Sequence, residues 1–188
     1  MKKNYTVKNR RKREQKTDYA KRLKLLKSKI PRFVVRISNN DVTIQIIDFN
    51  PKGDTVHLTI NGSTLTKQGY KGSKSNMCSA YLLGLLAAKM ALKKNISKVC
   101  VDTGLKLMNK GNKIYATIKG AIEGGLNVPC KEEMLPSEER INGKHIEEYS
   151  NLLKEKSQVK FSKIVKNGLN PSDYSKHIES VKTKILSL

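Results

Sequence analysis

The sequence predicts an α/β fold in which a small mixed β-sheet, an antiparallel meander plus one parallel strand, is packed with helices. Two observations predict this fold. Three short segments rich in β-branched residues follow one another over residues 32–60, separated by turn-forming residues. Beyond them the apolar residues take helical spacing, and two helical segments enclose one short apolar strand. This order of elements is typical of one mixed sheet covered by helices.

The N-terminal segment is predicted to be a basic helix that ends before Pro31, which cannot continue a helix. Thr17 is expected to cap this helix by accepting a backbone N–H bond, with Asp18 in the first turn. Apolar residues then recur at steps of four, three and four, and they form a narrow stripe: Tyr19, Leu23, Leu26 and Ile30.

The three predicted strands are Arg32–Asn39, Val42–Phe49 and Thr55–Ile60. The tripeptide Asn39-Asn40-Asp41 tolerates the backbone conformations of a tight hairpin, and Pro51–Asp54 supplies the second turn. Strands joined by such short turns form an antiparallel meander.

A glycine-rich polar loop, Gly69–Asn76, leads into an apolar helix around Ser79–Lys94. Lys98–Asp102 is predicted to be a short buried strand. The next helix is expected to carry Ile114, Ile118 and Ile122 on one face and to end at Gly124-Gly125. The following LNVP segment is a candidate for one more short strand.

The C-terminal part is predicted to be helical over roughly Ser137–Lys154 and again after Pro171, with a polar KEKSQVK link between the two helices. Few large apolar residues follow Asn151, so this part is expected to pack on a partner or on the edge of the main domain. Three parts result: a basic arm and helix over residues 1–31, an α/β core over 32–136, and a helical extension over 137–188.

The charge of the chain is large and uneven. Lys and Arg total 38 against 16 acids, which gives a net charge of +22, and residues 1–32 alone hold 14 basic and two acidic side chains. Like charges this close repel one another, so the arm is expected to meet a polyanion. Arginine binds phosphate through paired donors, and tyrosine adds a stacking face, which favours a nucleic acid. The chain has no Trp for a membrane surface.

Cysteine use and hydropathy predict a soluble cytosolic protein. Cys78, Cys100 and Cys130 are widely spaced and form no C-x-x-C pair, so neither a zinc site nor a disulfide framework is expected. The most apolar stretch, Met77–Ala88, is shorter than the roughly 20 residues that a membrane span needs. The basic N-terminus lacks the apolar region of a secretory signal.

Enzymatic alternatives have weak support. The loop around Lys74-Ser75 departs from P-loop spacing, and the three histidines (His57, His145 and His177) are far apart. Asp102 is the best catalytic candidate, because it ends a buried strand; it would need a second carboxylate, such as Asp48, to share a magnesium ion. A magnesium-dependent nucleic-acid-processing enzyme is therefore the alternative function. The other interpretation makes Asp102 a turn or cap acid paired with a nearby Lys or Arg.

Four segments carry a family resemblance. They are RRKREQKTDYAKRLKLLKSKIPRFVVRISN, GYKGSKSNMCSAYLLGLLAAKMAL, VCVDTGLKLMNKGNKIYATIKGAIEGGLNVP and LPSEERINGKHIEEY. In this order, over about residues 8–149, the chain closely resembles the large-subunit ribosomal protein eighteen family, in its archaeal and eukaryotic branch. The length favours the archaeal form.

The resemblance implies a non-enzymatic structural protein of the large ribosomal subunit, in the cytoplasm, with no cofactor, metal or small-molecule substrate. The family binds 5S rRNA, attaches it to 23S rRNA in the central protuberance and meets large-subunit ribosomal protein five there. The matching arm and strand positions expected at the RNA are Arg10, Arg11, Arg13, Thr17, Tyr19, Arg22, Arg32 and Arg36. The matching loop positions are Tyr70, Lys71, Gly72, Asn76, Lys110, Gly111 and Lys113. The basic character of the arm and loop adds Lys8, Lys12, Lys16 and Lys74.

Overall fold

The fold is taken from a computed structural model that describes residues 6–153 and 157–188. Residues 1–5 of the predicted arm lie outside this range. So do Lys154, the last residue of one predicted helix, and Glu155-Lys156 of the predicted link.

The N-terminal arm contains a one-turn helix α1 (Arg10–Arg13) and the longer helix α2 (Tyr19–Lys27). Asp18, and not Thr17, caps α2: its Oδ1 accepts the N–H groups of the second and third helical residues at 3.0 and 3.1 Å. The Thr17 hydroxyl instead accepts a bond from Arg11 Nε at 2.9 Å. Lys29 takes a left-handed φ of 52°, so the helix ends before Ile30 and the predicted stripe is one residue shorter.

The predicted mixed sheet is confirmed. Strands β1 (Arg32–Ile37), β2 (Val42–Asp48) and β3 (Thr55–Ile60) form the antiparallel meander, and β4 (Cys100–Asp102) pairs parallel to β1. The strand order is β3-β2-β1-β4. The LNVP segment contributes only an isolated bridge between Asn127 and Lys98.

One face of the sheet is covered by helices. Phe33, Ile44 and Ile46 are fully buried on it, and the helices that follow the meander are α3 (Gly62–Lys67), α4 (Met77–Leu92) and α5 (Lys113–Glu123). Helices α4 and α5 pack closely because glycines face the partner backbone: a Cβ on Gly84 would collide with the carbonyl of Thr117, and one on Gly120 with that of Tyr81. Ile114 and Ile118 are buried as predicted, whereas Ile122 is 37% exposed.

The C-terminal part is divided more finely than predicted. A left-handed Gly143 separates α6 (Glu138–Asn142) from α7 (Lys144–Leu153). Helix α8 (Ser157–Lys160) lies within the predicted polar link, and α9 (Ser162–Lys166) follows it. Short 3-10 turns lie at Glu132–Met134 and Pro171–Asp173.

The last helix, α10 (Tyr174–Leu186), completes the core instead of lying on its edge. Tyr174, Ile178, Val181 and Ile185 face inward at steps of four, three and four, and each is at most 1% exposed. The α10 helix packs on α4. No helix within residues 6–153 and 157–188 is long and apolar enough to cross a membrane.

Candidate nucleic-acid interface

The most extensive polar cluster is a chain of ion pairs along the β1–β4 side of the sheet. Asp102, at the end of β4, accepts hydrogen bonds from Arg32 Nη1 at 3.0 Å and from Arg36 Nη2 at 3.1 Å. Asp54, in the turn between β2 and β3, accepts hydrogen bonds from Arg32 Nη2 at 2.6 Å and from Arg22 Nη2 of helix α2 at 2.7 Å. Two acids therefore hold three arginines in a fixed order.

Both acids remain charged at neutral pH. Burial by itself would raise the pKa of Asp102, but the N–H of Gly104, donated at 2.8 Å, and the guanidinium groups of Arg36 and Arg32 outweigh it and lower the pKa. The pKa of Asp54 is lowered in the same way, with burial opposed by its two arginine partners. The network thus stays ionised as a unit.

This geometry gives Asp102 a structural role. Both of its carboxylate oxygens are bound by arginine, as the non-catalytic interpretation predicted. Asp48, the suggested second carboxylate, instead binds His57 Nε2 at 2.7 Å. In the part of the chain that the structure describes, no group of three His, Cys, Asp or Glu side chains could hold a metal ion.

Helix α2 is fastened to the segment that follows β4. Lys21 Nζ donates to the Thr103 hydroxyl at 3.1 Å and to the Gly104 carbonyl at 2.9 Å. Together with the Arg22–Asp54 pair, these bonds fix the helix over the end of β4.

Between α2 and the end of β4 lies an open groove of about 820 Å³. Its basic lining residues are Arg11, Lys16, Lys21, Arg22, Arg36 and Lys106. The acids along it are Asp18, which caps α2, and Asp102, which is paired with arginine. Tyr19 and Leu25 add apolar surface. A groove of this composition suits a phosphate backbone, and Tyr19 offers a face on which a base can stack.

The remaining arm residues carry exposed charge in front of this groove. Lys8, Arg10, Lys12 and Arg13 are all exposed. Glu14 is the one acid in this run, and it lies 2.9 Å from Lys16 and 3.7 Å from Arg10. Because exposed pairs of this kind contribute little, most of the arm's positive charge is available to a ligand.

Several predicted contact residues have structural roles. The Arg32 side chain is only 3% exposed and both of its Nη atoms are bound, whereas the Arg36 side chain is 47% exposed and can reach a ligand. Tyr70 is 1% exposed, and Gly72 is buried beneath its hydroxyl. Asn76 caps α4. The buried side chains of Arg32 and Tyr70 therefore support the surface and are not open to a ligand.

The predicted basic loops lie apart from the groove. Lys71 and Lys74 are exposed on the loop before α4. Lys110 and Gly111 precede α5 and Lys113 begins it. This segment does not line the groove, and Lys110 is exposed. Whether any of these residues touches RNA stays a prediction.

Two basic residues of the groove were not predicted as RNA contacts: Lys21 and Lys106. Lys21 carried a signal, since it follows Tyr19 and precedes Arg22 on the same basic helix. Lys106 carried none, because only the parallel pairing of β4 with β1 brings its loop beside α2.

Comparisons with known proteins point to large-subunit ribosomal proteins. A family model described as "Ribosomal large subunit proteins 60S L5, and 50S L18" matches residues 3–98. The chain is 44% identical to large ribosomal subunit protein uL18 of Methanobrevibacter smithii, over 97% of this chain and 95% of that protein. It is 42% identical to the uL18 protein of Methanococcus maripaludis, over 98% and 97% of the two chains. For the uL18 protein of Caldivirga maquilingensis the identity is 45%, over 97% and 90%.

These relatives cover nearly the whole chain, including the C-terminal extension, and the predicted family resemblance is confirmed. Ribosomal proteins of the large subunit are structural components that work with rRNA, so the enzymatic alternative is abandoned. The chain belongs to this family of large-subunit ribosomal proteins.

Proposed function

We propose that the chain binds 5S rRNA along the groove between α2 and β4 and helps attach it to 23S rRNA in the central protuberance of the large subunit. Large-subunit ribosomal protein five is the proposed protein neighbour there. The observation that carries the proposal is the row of basic side chains along this groove, in which Asp54 holds Arg22 and Asp102 holds Arg36.

The groove offers donors in the geometry that RNA requires. Arg36 keeps almost half of its side chain exposed while Asp102 fixes its orientation, so a phosphate can bind without first ordering the side chain. Arg11 and Lys16 add exposed positive charge to the lining. Tyr19, half-buried at the groove, can stack on an unpaired base.

The arm supplies the long-range attraction. Its exposed cations have few acidic partners. When they bind a phosphate backbone, the counterions condensed on the RNA are released. An arm of this charge can follow the RNA strand while the folded core sets the register. An arm that attracts RNA and a core that sets the register suit a protein that attaches one RNA to another.

The test is binding of the purified chain to a 5S rRNA transcript, with transfer RNA as a structured competitor, over a range of salt concentrations. Neutralisation of about six to ten phosphates gives a slope of log K against log salt of roughly −5 to −9. Preference for 5S rRNA over the competitor, with a slope in this range, supports the proposal. A nearly flat salt response, or equal affinity for both RNAs, contradicts it.

A further inference from the structure

The C-terminal extension holds the basic loop Gly69–Asn76 through two hydrogen bonds to the backbone of Lys71. The N–H of Lys71 donates to His177 Nε2 at 3.1 Å, and its carbonyl accepts from Asn167 Nδ2 at 2.8 Å. These partners are 106 and 96 positions away along the chain. The His177 ring also stacks on Tyr70, with centroids 5.8 Å apart and planes 25° apart.

Buried hydroxyl groups fix the two ends of the same loop. The Tyr70 and Tyr174 hydroxyls lie 2.7 Å apart, and Asn76 Nδ2 donates to Tyr174 Oη, also at 2.7 Å. Tyr174 begins α10 and is fully buried. The loop conformation is therefore set by the extension as much as by the core.

Where the fixed loop meets the extension there is a second cleft, of about 300 Å³. It lies at the hairpin end of β1 and β2, and its polar lining residues are Asn39, Asn40, Ser73, Lys74, Lys163 and Asn167. It shares no lining residue with the groove beside α2.

The chemistry of this cleft is cationic and amide-rich. Among the described residues no acid lines it, and none lies within ion-pair distance of Lys74 or Lys163. Ile164 is the one large apolar side chain of its lining and is 9% exposed. A protein partner would ordinarily find an exposed aromatic or aliphatic anchor, which this cleft lacks.

We propose that this cleft is a second RNA-phosphate site, built jointly by the core loop and the C-terminal extension, with Lys74 and Lys163 as the charged pair that receives the phosphate. The inference rests on the proposed rRNA-binding function and extends it to residues of α9. The side-chain amides of Asn39 and Asn40 can donate to phosphate oxygens or to a ribose 2′-hydroxyl, which suits RNA. His177 acts as a positioning residue, because it lies outside the cleft lining and holds the backbone of Lys71, whereas Asn167 both lines the cleft and holds the Lys71 carbonyl.

The groove beside α2 and the second cleft would give the protein two separate rRNA-binding sites. The phosphate could belong to 5S rRNA or to 23S rRNA, since the recognition chemistry is the same. Transcripts of each RNA, used separately, distinguish the two sources.

The experiment measures the affinity and salt slope of the full-length chain for each transcript, comparing Lys163→Gln with Lys93→Gln. Lys93 is a matched control because it is equally an exposed lysine and lies past the C-terminal end of α4, about 24 Å from the loop at the other end. Loss of one phosphate contact is expected to reduce the salt slope by about 1 for one of the two RNAs. The affinity for that RNA should fall about tenfold at low salt, because charge-assisted contacts are the strong ones. Lys93→Gln should bind both RNAs as the unmodified chain does.

A third variant, with Arg10, Arg11 and Arg13 changed to Ala, separates this inference from the function on which it rests. If Lys163→Gln keeps the wild-type slope and affinity for both RNAs while the arginine variant loses binding, the cleft is not an RNA site and the inference is wrong, although the proposed function stands. If the unmodified chain binds neither RNA, both are wrong. A reduced slope in Lys163→Gln alone supports the second site, since a merely structural role would not change the number of counterions released.

Discussion

Arg32 and Asp102 form a buried ion pair across two parallel strands, with Arg32 Nη1 3.0 Å from Asp102 Oδ2 and the two side chains 3% and 8% exposed. The pair exists because Asp102 lies opposite Val34 in the register of β1 and β4. Side chains of a strand alternate between faces, so Arg32 and Arg36 flank that position on the same face. One carboxylate thus serves two arginines.

Replacing Asp102 by Asn should destabilise the fold strongly. The substitution keeps the shape of the side chain but leaves the Arg32 guanidinium short of countercharge in a buried place, a loss of about 3–5 kcal/mol for an ion pair of this kind. The measurement is the free energy of unfolding by urea. Asp173→Asn is the control, because that acid pairs with Lys176 on the surface and its loss should cost less than about 1 kcal/mol. Equal stability of the two variants would contradict a central role for the network.

Stability should fall in acid, and the Asp102 network should account for part of the fall. The pKa of Asp102 is lowered in the folded protein, so the folded state binds fewer protons than the unfolded state near the ordinary pKa of about 3.9. The contribution is therefore complete above that value and is lost as the pH drops toward the lowered pKa. Unfolding free energy, followed from pH 6 to pH 2, should decline less steeply for Asp102→Asn than for the unmodified chain. Parallel profiles would show that the pKa shift is too small to matter.

Substitutions in the arm should weaken RNA binding without lowering stability, whereas a substitution in the core should lower stability. Changing Arg10, Arg11 and Arg13 together to Ala removes exposed guanidinium groups and no core contact, so 5S rRNA affinity should fall by several kcal/mol, at roughly 1.5–3 kcal/mol for each charge-assisted bond before non-additive losses. The melting temperature of the free protein should stay level or rise slightly, because self-repulsion is relieved. Ile118→Ala empties a site that is 1% exposed and should cost about 2–5 kcal/mol of stability. An arginine variant that melts much lower yet binds RNA normally would show that the arm is part of the fold.

The division into a core over residues 32–136 and an extension over 137–188 stays a prediction, and truncation tests it. A chain that ends at residue 136 would lose the inward face of α10 and expose the surface of α4 on which it packs. We expect this fragment to lack cooperative unfolding, and Tyr174→Ala in the full chain to cost about 3–5 kcal/mol. Tyr174→Phe is the matched variant, because it keeps the ring and removes only the hydroxyl shared with Tyr70. A fragment that melts cooperatively near the temperature of the full chain would show that the core is independent.

The local sequence determined the sheet meander and the main core helices, although α3 and α9 were not predicted. Alternating β-branched residues and short turns set β1 to β3 almost to the residue, and helical spacing set α4 and α5. The concentration of arginine and lysine in the first 32 residues pointed to a polyanion without any knowledge of the fold. Capping was predicted less well, because Thr17 and Asp18 can both accept N–H bonds and the choice depends on where Arg11 lies.

Only the tertiary structure decided which charges are free and which are bound. In the sequence Arg32 and Arg36 look alike, but the parallel pairing of β4 buries the first between two acids and leaves the second exposed. The family resemblance places Tyr70 beside RNA, but the packing of α10 on α4 buries it and makes it a partner of Tyr174. Both outcomes depend on contacts between residues 70 or more positions apart. The spacing of residues within a segment cannot predict such contacts, because the packing of the whole core determines them.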